Sequence, residues 1–527
     1  MDLDALGLQT NFSGVDWAIV AVYLTATVAI GLYANRYVAN MSDYIVAGRS
    51  LKSYLGIATM IGTELGLVTV MYMGQKGVSN GFAAFHIALA AGIGTLIVGM
   101  TGFIVVPLRR MGVMTIPEFY EKRFGRGVRV FGGLLLALAG ILNMGMFLKV
   151  GAMFVTDITG LPPNGIELKV VMTVLLALVL SYTILGGMVS VVITDYLQFV
   201  VLSFGLLLVS GLAVRHLGWS NIIESVRQVH GEAGFNPLVS GGEGEPSGFG
   251  IEYVVWQVFV AGIVACAVWQ TAVMRACSVE STSIVKRLYC WSAVGFMIRS
   301  LIPMFLGVCA VAYLRDHTSA GAVMADAKLT GESALRALPV FLSQILPVGL
   351  IGVVAAGMLA AFMSTQDSYL LCWASVLVQD VISPCVPHGL STRMRLALAR
   401  LLILSIGVFL LVFGLWYKME RQDLLEYLWI TGAIYFTGAF AVLVLGLYWA
   451  RASKVGAYLA LVAGTSSVVG LEPIMNRVGL QGLAEQLGQQ RSAAVIGLSC
   501  TALAIVMMVA GSLLFPDRAG AAHPREA

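Results

Sequence analysis

The sequence GMLAAFMSTQDS, residues 357–368, lies near the middle of an apolar run that extends from about residue 347 to about residue 380. About 20 apolar residues are enough for a helix to cross the hydrocarbon core of a bilayer, so the run predicts a membrane span. Side chains three and four positions apart share one face of a helix. The residues that share such a face here are Ala361, Ser364, Thr365 and Ser368.

This polar stripe has the chemistry of a cation site. Sodium is a hard cation that requires several oxygen ligands, and hydroxyl groups provide them without burying a second charge. Asp367 adds a carboxylate beside the stripe. The alternative is that each hydroxyl bonds a carbonyl of its own helix one turn earlier. Several hydroxyls and a carboxylate in one short stretch favour the cation site.

The composition of the whole chain indicates a membrane protein. Of its 527 residues, 58% are hydrophobic and only 11% are charged, whereas soluble domains have about 25% charged residues. This excludes a water-soluble globular protein. The seven cysteines contain no C-x-x-C pair, and we interpret them as small buried hydrophobic residues rather than a disulfide framework or a metal site.

We predict an all-α polytopic membrane protein with about 13 transmembrane helices, in a single transmembrane domain at residues 1–515 that is followed by a short cytoplasmic tail at 516–527. The first fifteen residues contain no Lys or Arg, so no cleavable signal peptide is expected. Gly92 and Gly94, inside one apolar run, are expected at a close helix contact. The predicted spans are 16–34, 53–74, 82–107, 131–156, 168–185, 188–214, 252–277, 288–314, 347–380, 396–417, 425–449, 455–473 and 493–515.

The orientation follows from the basic residues. The larger share of the 32 Lys and Arg residues falls in one set of alternate loops, and loops rich in these residues stay in the cytoplasm. The stretch from Leu108 to Arg129 belongs to this set, and Arg275 is assigned to the same side. The pattern predicts a plasma (inner) membrane protein with its N-terminus outside and its C-terminus in the cytoplasm. An outer segment, Ala325 to Leu346, is predicted to lie along the membrane surface.

Charged residues inside the predicted spans are candidate functional sites, because each costs roughly 2.5–3.5 kcal/mol in a bilayer. They are Glu64, Lys149, Asp195, Arg299 and Asp367. Lys149 and Arg299 would contact an anionic substrate, pair with an acidic side chain or extend to the membrane surface.

The second span is interrupted by Gly56, Gly62 and Gly66. Transporters use broken helices because the unwound turn frees carbonyls for a cation and NH groups for a substrate. Close helix packing at the glycines is the alternative. The spacing therefore predicts either a binding site or a helix contact at this span.

Three motifs resemble those of the sodium:solute symporter family, which includes bacterial sodium/proline, sodium/galactose and sodium/sialic acid symporters and the human sodium/glucose symporters. Ala47-Gly48-Arg49 is similar to the family's early cytoplasmic GR. The run YTILGGMVS (182–190), followed by TDYLQ (194–198), resembles its Y-T-x-x-G-G-x-x-x-V-x-x-T-D-x-x-Q stretch. GMLAAFMST (357–365) resembles its G-x-L-A-A-x-M-S-[ST] stretch, and Gln379-Asp380 lies where a polar-Asp pair usually ends that helix.

The resemblance implies a transporter core with a five-plus-five inverted repeat. The first repeat is expected at 53–214 and the second at 252–449, with an extra N-terminal helix at 16–34 and two C-terminal helices at 455–515. The implied function is a sodium-coupled secondary active symporter that imports a small polar organic solute, namely a sugar, amino acid or carboxylate, by alternating access. Sodium is then the transported ion, and no organic cofactor is expected.

The resemblance also implies two cation sites. The sodium site common to the family falls on the hydroxyls of Ser364 and Thr365 and the carbonyl of Ala361, with the carbonyls of Ala58 and Ile61 from the broken span. Where relatives commonly have a small residue or Ser, this chain has Asp367. Two carboxylates around one small site would bind a second cation or hold a proton. The second site corresponds here to Asp195, Ser364, Asp367 and Ser368.

Substrate contacts in relatives come from the broken second span and the seventh span. The matching residues here are Glu64, Trp269 and Gln270, with Lys149 on the fourth span as a further candidate. Glu64 would favour a hydroxyl-rich or amine-bearing solute and Lys149 a carboxylate, so the substrate stays open. Trp269 is a candidate gate or stacking face, and equally a core aromatic.

Two other classes stay open. A proton-coupled or channel-like carrier of the same fold would retain uptake when potassium replaces sodium. A membrane enzyme or sensor would need a catalytic constellation or a cytoplasmic output domain, and the sequence has no P-loop, G-x-S-x-G or H-E-x-x-H motif. The expected partners are the small polar solute and the lipid bilayer, without nucleic acid or a protein partner.

Overall fold

The computed structural model describes residues 9–34, 51–162, 165–239, 249–317, 329, 331–387, 389–417 and 422–517. Almost all of these residues are helical, and an isolated parallel bridge joins Leu51 to Val279. The predicted all-α class is therefore confirmed. Short 3-10 turns connect several helices, and two helices contain π segments at Gln257–Val264 and Leu377–Ile382.

The α-helices fall into two groups along the chain, separated by the loop that follows residue 230. In the first group they are α1 (Gly14–Ala34), α2 (Ser53–Glu64), α3 (Leu67–Asn80), α4 (Phe85–Thr101), α5 (Val105–Arg110), α6 (Ile116–Phe124), α7 (Arg126–Asn143), α8 (Phe147–Thr159), α9 (Ile166–Leu217) and α10 (Trp219–His230).

In the described part of the chain, the second group contains thirteen α-helices, some of them single turns that continue a longer helix. They are α11 (Gly250–Trp256), α12 (Ala265–Val268), α13 (Gln270–Ser278), α14 (Thr282–His317), α15 (Gly331–Ile345), α16 (Leu350–Val376), α17 (Ser383–Cys385), α18 (Thr392–Trp416), α19 (Leu424–Tyr448), α20 (Lys454–Thr465), α21 (Glu472–Arg477), α22 (Gln481–Leu487) and α23 (Gln489–Leu514).

Nine helical segments in the described part of the chain are long and apolar enough to cross a membrane. Two shorter apolar helices, Gly14–Ile30 and Lys454–Gly470, also occur. The number of thirteen spans stays a prediction. In the most apolar 18-residue stretch of Leu350–Cys385, 89% of the residues are buried within the protein, whereas the corresponding share in Thr392–Trp416 is 28%. The helix with the polar stripe is therefore central, and α18 is peripheral.

The predicted boundary between the spans 168–185 and 188–214 is wrong. The structure has one continuous helix, α9, over 52 residues. Gly186-Gly187 does not end it because glycine inside a helix costs only about 1 kcal/mol relative to alanine. The helix contains no proline, so no residue in it forbids the helical hydrogen bonds.

The predicted break in the second span is confirmed, and it lies at the last of the three glycines. Helix α2 ends at Glu64, and Leu65 and Gly66 leave helical geometry, with ψ angles of 65° and 167°. Helix α16 passes so close that a Cβ atom on Gly66 would lie 2.1 Å from Thr365 Oγ1. Glycine is therefore required where the broken helix meets the polar stripe.

The seventh predicted span, 252–277, is also broken, and the sequence analysis did not predict this break. Trp269 takes an extended conformation, with φ −75° and ψ 122°, between α12 and α13. The residues beside Trp269 are Val268 and Gln270, so no glycine or proline marks this break in the sequence. Both broken spans thus interrupt their helix inside an apolar run.

The close helix contact predicted at Gly94 is confirmed. A Cβ atom on Gly94 would lie 2.3 Å from the backbone carbon of Gly262. Helix α4 therefore packs directly against the π segment that precedes the second break. Any larger side chain at Gly94 would push α4 and the π segment apart.

Candidate functional site

A cavity of about 130 Å³ lies between the two helix breaks and is lined by both of them. The first break contributes Thr63 and Glu64, and the second contributes Trp269. Helices α3, α4, α7, α8, α14, α16 and α19 also contribute lining residues. The polar and aromatic lining residues used below are Thr63, Glu64, Thr69, Tyr72, Asn143, Gln257, Trp269, Arg299, Thr365, Tyr369 and Trp429.

The polar stripe of α16 meets the carbonyls at the end of α2. Thr365 Oγ1 donates a hydrogen bond of 3.0 Å to the carbonyl of Thr63. A Cβ atom on Gly66 would lie 3.5 Å from the carbonyl oxygen of Ala361, so this predicted ligand also faces the break. Ser364 is fully buried on the same helix. The carboxyl end of a helix carries a partial negative charge, which favours a cation here.

The carbonyls of Ala58 and Ile61 remain predicted sodium ligands. Both residues are buried on α2, and the Ile61 carbonyl accepts a hydrogen bond of 2.8 Å from the amide of Leu65. A carbonyl oxygen has two lone pairs, so this bond leaves one for another contact. The direct bond from α2 to α16 nevertheless comes from Thr63, which the sequence analysis did not select.

A buried arginine reaches the predicted second cation site. Arg275, on α13, is 2% exposed. Its Nη2 donates to Ser368 Oγ at 3.2 Å and also to Thr63 Oγ1. Its Nη1 and Nε donate to the carbonyls of Thr271 and Thr59. The assignment of Arg275 to the basic residues of the cytoplasmic side gave no indication of these buried contacts.

The acidic members of the predicted second site are only partly described. Asp367 is fully buried on α16, three residues from Ser364 and therefore on a neighbouring part of the same helix surface. The side chain of Asp195 lies outside the described residues. The structure thus brings Ser368 and Thr63 together, with their hydroxyl oxygens 3.4 Å apart, and the role of Asp195 stays a prediction.

Two of the four predicted substrate residues, Glu64 and Trp269, line the cavity. Glu64 Oε1 accepts a hydrogen bond of 3.2 Å from Thr271 Oγ1. Trp269 Nε1 donates one of 3.1 Å to the hydroxyl of Tyr369. Because the Trp269 ring also packs edge-on against Trp373 at 5.3 Å, it forms both the cavity wall and the aromatic core behind it.

The other two predicted substrate residues, Gln270 and Lys149, are not among the lining residues of the described cavity. Gln270 Oε1 accepts a hydrogen bond of 3.0 Å from the amide of Ile116, at the start of α6. Gln270 directly follows the break. The same turn that places Trp269 in the cavity wall therefore directs the Gln270 side chain toward α6.

Lys149 forms an ion pair instead. Its Nζ lies 3.5 Å from Glu332 Oε2, on α15 outside the candidate membrane spans. Burial raises the pKa of the Glu332 carboxyl, but the charges of Lys149 and Arg336 outweigh it and hold the pKa below its usual value. Of the alternatives predicted for Lys149, the structure therefore favours pairing with an acidic side chain over contact with a substrate.

Several cavity residues were not selected from the sequence. Tyr369 follows Thr365 by four residues, so continuing the helical spacing of the polar stripe would have found it. Arg299 was recognised as an intramembrane charge and lies in the cavity wall. Its Nη1 donates to the carbonyl of Glu64, and its guanidinium carbon lies 4.5 Å from the centre of the Phe296 ring.

Two buried ionic clusters hold the helices around the cavity. Lys76 is fully buried and lies 2.8 Å from Asp423 Oδ2 and 2.7 Å from Glu426 Oε1, so it ties α3 to the start of α19. At the far end of the helix with the polar stripe, Asp380 Oδ1 lies 2.8 Å from Arg129 Nε. These pairs join helices that each contribute lining residues to the cavity.

Membrane-spanning helices around a polar cavity, with two broken helices at its centre, define a membrane transporter. The model of the sodium:solute symporter family matches residues 44–464. The chain belongs to the sodium:solute symporter family, as its motifs indicate. It is an integral multi-pass membrane protein and a sodium-coupled symporter, not an enzyme, and sodium is its transported ion.

Similar proteins agree with this assignment. A sodium/glucose cotransporter of Vibrio parahaemolyticus is 26% identical over 475 residues, which cover 86% of this chain and 84% of that protein. A sodium/myo-inositol cotransporter of Bos taurus is also 26% identical, over 86% of this chain and 66% of its own length. A solved Na+-coupled sialic acid symporter shares the fold, with a TM-score of 0.75, 20% identity, and coverage of 96% of this chain and 99% of its own.

Proposed function

We propose that this symporter uses the sodium gradient to import a small polar organic solute by alternating access, with the cavity between the two helix breaks as the solute site. The observation that carries the proposal is the junction at Gly66, where the polar stripe of α16 meets the free end of α2. One wall of the cavity is then a cation site and the opposite wall a solute site. Sodium bound at the cation site would therefore determine the shape of the solute site.

The proposed sodium ligands are the carbonyls of Ala58, Ile61 and Ala361 and the hydroxyls of Ser364 and Thr365. We add the Thr63 carbonyl, because Thr365 Oγ1 already bonds it at 3.0 Å. Sodium would replace the hydroxyl proton as the partner of this carbonyl. Binding would therefore fix the break between α2 and α3 against α16.

The two helix breaks support the five-plus-five arrangement. The broken helix comes first in the repeat proposed at 53–214 and first again in the repeat proposed at 252–449. Interrupted spans at corresponding positions of two halves are typical of inverted-repeat transporters, and their breaks bind substrate and ions near the middle of the membrane. The basic loops favour an outer N-terminus and a cytoplasmic C-terminus.

A small polar solute is supported by the cavity and by the relatives. The wall contains hydroxyl, amide and indole groups beside aromatic rings, a mixture that orients a solute by hydrogen bonds and packs its apolar faces. The relatives are named as cotransporters of glucose and of myo-inositol, both small and rich in hydroxyl groups.

A second candidate function is proton coupling, favoured by the fully buried Asp367 at the proposed second cation site. A carboxylate in such surroundings binds either a cation or a proton. The two functions differ in the ion whose gradient drives uptake.

The test is uptake of pooled radiolabelled sugars, amino acids and carboxylates into proteoliposomes. An inward sodium gradient is expected to drive accumulation, and replacement of sodium by potassium is expected to abolish it. Uptake driven by a pH gradient in potassium, without sodium, is the control that tests for proton coupling. Uptake that is equal in potassium and sodium would reject sodium coupling by this site.

A further inference from the structure

Two opposite charges line the cavity. Among the described lining residues, Glu64 is the single carboxylate and Arg299 the single cation. The ion pairs formed by the described residues do not include one between these two side chains. Glu64 and Arg299 are partly buried, and charges held away from water without a paired counter-charge are unfavourable unless a ligand completes the arrangement.

Two buried donors in this wall also lack acceptors. Arg299 Nε and Trp429 Nε1 are buried and have no hydrogen-bond partner among the described residues. An unsatisfied buried donor is destabilising, and more so when the group is charged. Both residues line the cavity, so the solute is the natural source of the missing acceptors.

The acceptor that fits best is a carboxylate. It has two oxygens with about four lone-pair sites and matches the planar donors of a guanidinium. It would also neutralise the Arg299 charge, which a hydroxyl group would not. We propose that the transported solute is a monocarboxylate whose carboxylate binds Arg299. This proposal rests on the proposed function and names the class of its solute.

Glu64 sets the limit on the charge of the solute. Its Oε1 already accepts a bond from Thr271, and its negative charge lines the same cavity as Arg299. A second carboxylate on the solute would face this charge and be repelled. Glu64 instead favours a hydroxyl or amino donor elsewhere on the solute. The expected solutes are hydroxy acids, amino acids or sugar acids.

The lining aromatic rings fit such a solute. Tyr72, Trp269, Tyr369 and Trp429 surround the two charged residues in the cavity wall. A solute packed against these rings would displace water from the guanidinium, and a charge-assisted hydrogen bond is stronger where water is excluded. The selectivity for a carboxylate over its neutral counterpart is therefore expected to be large.

The experiment measures thermal stabilisation of the purified full-length transporter in sodium by three matched pairs: gluconate and glucose, lactate and lactamide, alanine and alaninamide. At least one carboxylate is expected to bind at least about tenfold more tightly than its neutral partner, because a site built for a polar group rejects the analogue that lacks it. A panel in which no carboxylate binds, or in which a neutral partner binds more tightly, would overturn the proposal.

Variants separate this inference from the proposed function. Arg299→Gln is expected to abolish the preference for the carboxylate, and Arg299→Lys is expected to retain part of it. An unchanged preference in Arg299→Gln would overturn the inference. Failure of sodium alone to stabilise the wild-type protein would instead count against the proposed sodium coupling.

Discussion

Thr365 Oγ1 donates a hydrogen bond of 3.0 Å to the backbone carbonyl of Thr63, and this bond joins the helix with the polar stripe to the end of the broken second span. The two residues are 302 positions apart in the chain. Neither the polar stripe of α16 nor the glycines of the second span alone indicate that these two residues are in contact. The bond depends on Gly66, because only a residue without a side chain admits α16 to this distance.

We expect Gly66→Ala to weaken sodium binding. The added methyl group would lie 2.1 Å from Thr365 Oγ1, so α16 must move away from the Thr63 carbonyl. The sodium concentration for half-maximal uptake should rise at least about tenfold, which corresponds to about 1.4 kcal/mol. Gly211→Ala, where the added atom meets nothing within 4 Å, is the matched control, and equal sodium dependence in both variants would contradict the prediction.

Replacing Lys76 by Met should destabilise the protein strongly. The change leaves Asp423 and Glu426 buried without their shared cation, and breaking a buried ion pair costs about 3–5 kcal/mol. The midpoint of thermal unfolding in detergent should fall clearly, and Asp423→Asn with Glu426→Gln in the same chain should restore part of the loss.

The control for Lys76 is Arg227→Ala, which breaks an exposed pair with Glu224 whose side chains are 66% and 47% exposed. Exposed ion pairs contribute little because water and salt screen them. Its unfolding midpoint should match that of the wild type. A drop as large as that of Lys76→Met would show that burial of the Lys76 cluster has no special effect.

Asp367→Ser tests the second cation site. If this buried carboxylate helps to bind a second cation, its removal should lower the charge moved per solute molecule. The measurement is the ratio of charge to solute from reversal potentials in proteoliposomes. An unchanged ratio would eliminate the second site.

Lys149→Met should leave solute selectivity unchanged, because Lys149 pairs with Glu332 and is not among the lining residues of the described cavity. We expect the KM for the solute to stay within about twofold of the wild-type value, the behaviour of a residue outside the binding site. Arg299→Gln is the contrasting variant. A loss of selectivity in Lys149→Met comparable to that of Arg299→Gln would return Lys149 to the solute site.

The helical class, the polar stripe and the break near Gly66 could be predicted because each depends on local pattern. Residue spacing in one helix fixes which hydroxyls share a face, and glycines mark the place where a helix can end. The resemblance of three motifs was also sufficient to predict the family.

The remaining features depend on geometry that spacing does not encode. The break at Trp269 has no glycine or proline beside it, so the direction of Gln270 could not be inferred. Lys149 pairs with Glu332 of α15, a helix distant in the sequence. Arg275 folds back into the protein, although a basic residue near the end of a span usually indicates a cytoplasmic loop. Continuity of α9 through Gly186-Gly187 shows that two glycines alone do not end a helix.

The most direct test of the central claim is equilibrium binding of radioactive sodium to purified wild type and to the double variant Ser364→Ala/Thr365→Ala. Ser375→Ala, which removes another buried hydroxyl from the same helix, is the control. We predict saturable sodium binding in the wild type and in Ser375→Ala, and its loss in the double variant. Undiminished binding in the double variant would contradict a sodium site between α16 and the broken second span.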